Sequence, residues 1–218
     1  MRRRLESIPT DLEMFFKQIL ESVEPFYHEK MATTLQIALA ARQPAPAAIY
    51  KFHDEEYEDG EYALKLPLQP LDSRQAASMR VQVARRLNGR CRGLLEVNND
   101  RVEFLHRTVM DYLRTPEMSN YLNRKAPARS NAHLSLLRAF IAYIKSTKFP
   151  KFVDRTDFAQ YTASGITSAL QEALAHANQL EENFIAYKLL DELACCIPQM
   201  HKTNQASLNV WGKLLQSC

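Results

Sequence analysis

Glycine is scarce in this chain, at 5 of 218 residues. That excludes the turn-dense pattern of an all-β protein and leaves little for a Gly-rich phosphate loop. No apolar run approaches the ~18–20 residues that cross a bilayer, so no membrane association is expected. The start, Met1-Arg2-Arg3-Arg4-Leu5-Glu6, is basic but lacks the apolar stretch of a signal peptide. The four cysteines, Cys91, Cys195, Cys196 and Cys218, contain no Cys-x-x-Cys pair. That usage fits a reduced, cytoplasmic protein in which each thiol is structural or inert. There is no P-loop sequence, no Gly-x-Ser-x-Gly elbow and no His-Glu-x-x-His. The six histidines scatter singly, without zinc spacing. No catalytic residue, metal ligand or cofactor of the chain's own is therefore nominated, and the chain reads as a non-enzyme.

What is present is helical pattern. Hydrophobic residues make up 46% and charged residues 24%, enough for a sizeable core. Thr10 and Glu13 form a capping box ahead of Leu12, Phe16, Ile19, Leu20 and Val23, and Pro25 ends that run. A second helix fits 29–42, with Met31, Leu35, Ala38 and Leu39 on one face, before Pro44 and Pro46 break the pattern. A third spans 72–88, capped by Asp72 or Ser73 and stopped at Asn88-Gly89. Beyond the polar, proline-broken stretch 124–131 everything reads as helix. Faces there are Leu134/Leu137/Ile141/Ile144, Ile166/Leu170/Leu174 and Ala186/Leu190/Leu193/Ile197, followed by a last helix near 205–216. Tyr161, Phe184, Tyr187 and Trp211 are expected in the core.

One β signal stands out. Leu94–Val97 and Val102–Leu105 flank Asn98-Asn99-Asp100-Arg101, the composition of a hairpin. His106-Arg107-Thr108 then leads into a further helix. Helices, a hairpin and a helix make a winged-helix order. The expected fold is mainly α: a winged-helix domain over 1–129, with its wing at about 94–105, and a C-terminal helical bundle or helical-hairpin domain over 130–218.

The net charge of +3 hides a segregation. Six acids fall in 54–61, which reads as an exposed acidic loop or a frayed helix end, and six arginines with no acid fall in 74–92. Arg85, Arg86, Arg90 and Arg92 are the candidate basic patch for a partner or an anion. A winged-helix protein reading DNA with this helix is the alternative function. The wing opposes it, with Glu96, Asp100 and Glu103 against the single Arg101. The acidic stretch can also neutralise the arginines within the molecule, so a nucleic-acid partner is disfavoured.

Two blocks carry a family resemblance. Arg86-Leu87-Asn88-Gly89-Arg90-Cys91-Arg92-Gly93-Leu94-Leu95-Glu96-Val97 and Val102-Glu103-Phe104-Leu105-His106-Arg107-Thr108-Val109-Met110-Asp111-Tyr112-Leu113 resemble the region after the NACHT domain of fungal NLR-like STAND NTPases. Leu5–Glu13, with Phe16, Ile19 and Leu20, resembles the junction that follows their nucleotide-binding part. The resemblance covers about residues 2–123. It implies a regulatory and protein-interaction module of a signalling switch tied to fungal innate immunity. ADP or ATP would enter only through an upstream nucleotide-binding domain, whose P-loop and Mg-binding strand this sequence does not contain. The chain thus reads as a fragment or a derivative without the motor. It also implies one contact: His106 reaching the ADP phosphates, with Arg107 adding charge or pairing with Asp111. The plain alternative is that His106 caps the helix it opens.

Overall fold

The computed structural model describes residues 10–147, 165–181 and 183–202. The protein is mainly helical, with one small antiparallel sheet. Helix α1 (Thr10–Glu21) buries Phe16 and Leu20, and Val23 follows on the same face. Phe16 packs on the Tyr112 ring at 5.5 Å. Pro25 opens a short 3-10 turn that feeds α2 (His28–Ala40), where Met31 and Leu35 are fully buried.

The prolines after α2 do more than break it. Ala45–Pro46 forms a short strand, β1, that pairs with Val102 and Arg101. Proline tolerates this place because an edge strand has one face of backbone donors unused. The sheet order is β1-β3-β2, with β2 at Leu95–Asn98 and β3 at Arg101–Phe104. The expected hairpin is therefore two strands of a three-stranded sheet. Its two-residue turn holds Asn99 and Asp100 at φ 47° and 68°, the left-handed region those side chains tolerate.

Helix α3 (Ala47–Glu55), which no sequence pattern flagged, follows β1 directly. A single turn, α4 (Tyr62–Lys65), comes next. Helix α5 (Ser73–Cys91) is capped by Asp72, whose carboxylate accepts from Gln75 N while the Gln75 amide oxygen accepts from Asp72 N. It does not stop at Asn88-Gly89. The chain turns left-handed at Arg92 (φ 49°) and Gly93 (φ 81°) instead. The reason is burial: Val83, Leu87 and Cys91 form one i,i+4 row, and the extra turn buries Cys91 completely. That outweighs the ~1 kcal/mol cost of a glycine inside a helix.

Helices α6 (Arg107–Leu113), α7 (Pro116–Lys125) and α8 (Ala132–Ser146) complete the middle of the chain. Thr115 and Asn131 cap α7 and α8. Helix α8 is buried on nearly every side, by α2, α3, α9 (Ile166–Ala177) and α10 (Phe184–Lys202). One continuous cluster of buried apolar residues runs across residue 130.

Being encased, α8 must satisfy its charged residues internally. The ammonium of Lys145 is 2% exposed and donates to the carbonyls of Ala63 (2.9 Å), Leu64 (3.3 Å) and Leu66 (2.9 Å) at the end of α4. It also meets Glu192 of α10 at 2.6 Å. Arg138 pairs with Glu56.

On α10, Ala186, Leu189, Leu193 and Cys196 face inward. Phe184 and Tyr187, expected in the core, are 70% and 57% exposed because the helical turn carries them away from that row. The Lys188 ammonium sits 4.8 Å from the Phe184 ring centre. Tyr161, Trp211 and the helix expected at 205–216 lie outside the described residues.

Candidate functional site

The hairpin delivers His106 to the start of α6 with extended backbone (φ −149°, ψ 150°), the conformation of a helix N-cap. Its ring is exposed, and Nδ1 accepts from the Thr108 backbone N–H at 3.2 Å, with the Thr108 hydroxyl 2.9 Å away. An Nδ1 that accepts assigns the proton of the neutral ring to Nε2. The capping role therefore leaves an Nε2–H donor, which no described residue takes up. Arg107, next to it, is 65% exposed and among the described residues pairs with Asp111 at 3.7 Å, the i,i+4 pair its spacing allows.

Arg107 also lines a groove of about 540 Å³ between the end of α2, the sheet and α6. Arg42 and Arg114 share it, above an apolar floor that includes Ala45, Phe104 and Met110. Sequence reading did not single out Arg42 or Arg114. They lie far apart in the chain with no motif around them, and only folding brings them to one groove.

The arginines nominated on α5 are placed differently. Arg86 Nη1 meets Asp54 Oδ2 at 2.9 Å, and Arg90 pairs with the other oxygen of the same carboxylate. The Asp54 side chain is 10% exposed, so this acid at the end of α3 is held against α5 rather than out in a loop. Glu56 is likewise drawn inward by Arg138 and His53. These partners hold its carboxyl below the usual range, although desolvation opposes them. Arg80 is tied to Asp100 of the hairpin turn at 3.1 Å. Arg92 reaches the Ser22 carbonyl at 3.4 Å. Arg85 is exposed with no ion-pair partner among the described residues. The four patch residues therefore do not form one free cationic surface.

The fold also joins histidines that the sequence scatters. His133 and His176 approach Nδ1 to Nδ1 at 3.0 Å, one donating to the other. Burial, aided by His133 and Arg42, pulls the His176 pKa down to about 4, so it is neutral at physiological pH. His53 is buried beside Glu56. His28 bridges Val23 O at 2.8 Å and the Lys125 ammonium at 3.0 Å. Among the described residues no three His, Cys, Asp or Glu side chains gather to hold a metal ion. Cys91 is fully buried, and desolvation raises its thiol to about 12, which makes it unreactive. Cys195 and Cys196 are exposed and buried respectively, as neighbours on a helix should be. Among the described residues, no helix is long and apolar enough to cross a membrane.

No curated protein and no solved structure matches this chain. A family model described as a domain of unknown function, DUF7791, matches residues 22–152. That span runs from the end of α1 through the end of α8, past the polar stretch at 124–131. With more than half of its length covered, the chain belongs to the DUF7791 family.

Proposed function

We propose that this protein is a non-catalytic regulatory and interaction module of a NACHT-type, NLR-like signalling switch, acting in the cytoplasm. Its first part is a winged-helix unit, up to about residue 129, and the helices after it form a second unit that shares its core. The order α2-β1-α3-α5-β2-β3, with β3 central, supports the winged-helix assignment. The single observation that carries the functional reading is His106. It sits exposed at the joint between hairpin and helix, its cap fixes the ring, and Nε2–H is left as a donor, with Arg107 the next residue in the chain. An imidazole so held suits a phosphate oxygen presented by a nucleotide-binding domain packed on this face. The nucleotide would bind that domain, and this chain would bias the closed state against the open one.

The DNA-reading alternative has less support, because Asp54 and Asp100 neutralise the arginines it needs. The test is a polypeptide that carries a nucleotide-binding domain ahead of this chain. His106→Asn keeps a good N-cap but removes the reach of Nε2. ADP affinity is expected to fall about tenfold, the worth of one charge-assisted hydrogen bond. Unchanged affinity, with the variant folded, refutes the reading.

A further inference from the structure

We propose that the groove between the end of α2, the sheet and α6 docks an acidic amphipathic helix of a partner protein. Three guanidinium groups line it, from Arg42, Arg107 and Arg114, with Glu103 among its lining, and Arg107 also keeps its pair with Asp111. Arg42 and Arg114 are exposed and have no ion-pair partner among the described residues. This is the reverse of α5, where Arg80, Arg86 and Arg90 each meet a carboxylate of the same chain.

Spacing selects the occupant. Arg107 and Met110 on α6 and Arg114 at its C-cap follow at i, i+3 and i+7, so cation, apolar residue and cation succeed one another on one side of that helix. At 1.5 Å per residue the two arginine positions lie about 10 Å apart. Two carboxylates two turns apart on a facing helix match that span, with an apolar side chain between them to meet Met110. Methionine is suited to that place because its flexible thioether adapts to what it touches. Ala38 and Ala41 at the end of α2 also line the groove, and their small side chains let a helix backbone come close. Arg114 also borders a second hollow of about 490 Å³ between α2 and α7. This inference stands on the groove alone and not on the nucleotide reading of His106.

The test uses the full chain and a fluorescein-labelled, alanine-based helical peptide. The peptide carries one leucine flanked by two glutamates seven positions apart, and a control replaces both glutamates by glutamine. Saturable binding that weakens steeply with salt is expected for the glutamate peptide. At least a tenfold loss is expected for the control, and likewise for the double variant Arg42→Glu/Arg114→Glu. Both arginines are exposed, so that variant should keep the wild-type fold, which circular dichroism checks. Backbone amide shifts should fall on Ala38, Ala41 and Met110. No saturable binding, or binding indifferent to the charge reversal, overturns the proposal. Displacement of the peptide by ADP or pyrophosphate also overturns it, because the groove would then be a phosphate site. The His106→Asn measurement reads ADP affinity in a different polypeptide, so failure of the one reading is told apart from failure of the other.

Discussion

Lys145→Met removes an ammonium from the centre of the molecule while keeping most of the stem's packing. In the wild type this group is 2% exposed, serves three carbonyls at the end of α4 and meets Glu192 of α10. Hydrogen bonds from charged groups contribute roughly 1.5–3 kcal/mol each, but these share one donor and do not add. Losing one partner of a buried pair costs roughly 3–5 kcal/mol. The Glu192 side chain is 32% exposed and can rehydrate, which lowers the cost to about 3 kcal/mol. For a chain of this size that is a fall in Tm of roughly 6–12 °C. Urea unfolding followed by circular dichroism measures it. Glu192→Gln is the companion variant: Lys145 keeps its carbonyls but loses its counter-charge while 2% exposed, so it too should destabilise, by about 2–3 kcal/mol. The hydrogen bond from Lys145 holds the Glu192 carboxyl below its ordinary pKa. A depressed carboxyl stabilises the fold above its unfolded pKa and stops doing so as pH falls through its folded pKa. The gap between wild type and Glu192→Gln should therefore be full at pH 7 and close in acid. A Lys145→Met protein within about 1 kcal/mol of wild type would refute the reasoning that this ammonium joins α4, α8 and α10.

Three further outcomes follow from the backbone and the buried histidines. Gly89 lies inside α5 with open space around a would-be Cβ, so Gly89→Ala should stabilise by about 0.5–1 kcal/mol. Gly93, four residues on, has φ +81°, and Gly93→Ala should destabilise by about 1 kcal/mol in the same urea titration. The His176 pKa is lowered from 6.5 to about 4, so between those values the unfolded chain takes up a proton that the folded chain refuses. Stability should accordingly decline as pH drops from about 6.5 toward 4, and a His176→Phe variant that folds should show a shallower decline over that window. A wild-type stability flat across it would show that the pair opens freely to protonation.

Local chemistry made much of the architecture legible in advance. The i,i+4 rows of α1, α2 and α5, the Asp72 cap and the Asn99-Asp100 turn all act over a few residues, so sequence spacing is enough to find them. The misses in secondary structure share one cause. Helix α3 and strand β1 form because Ala45 and Pro46 find β3, more than fifty residues away, and no periodicity announces that. Helix α5 outran its Asn88-Gly89 stop because Cys91 had a core to enter.

The candidate site divides in the same way. His106 as a cap is a property of four consecutive residues, and the sequence determined it. Whether an arginine is free is a matter of which carboxylate lies opposite in space. Asp54 takes two of the arginines that the sequence displayed most prominently. Arg42 and Arg114, which it displayed least, converge with Arg107 on an open groove. Charge falls off with distance through space and not along the chain, so the composition set the total of +3 and only the tertiary structure decided where a positive field faces outward.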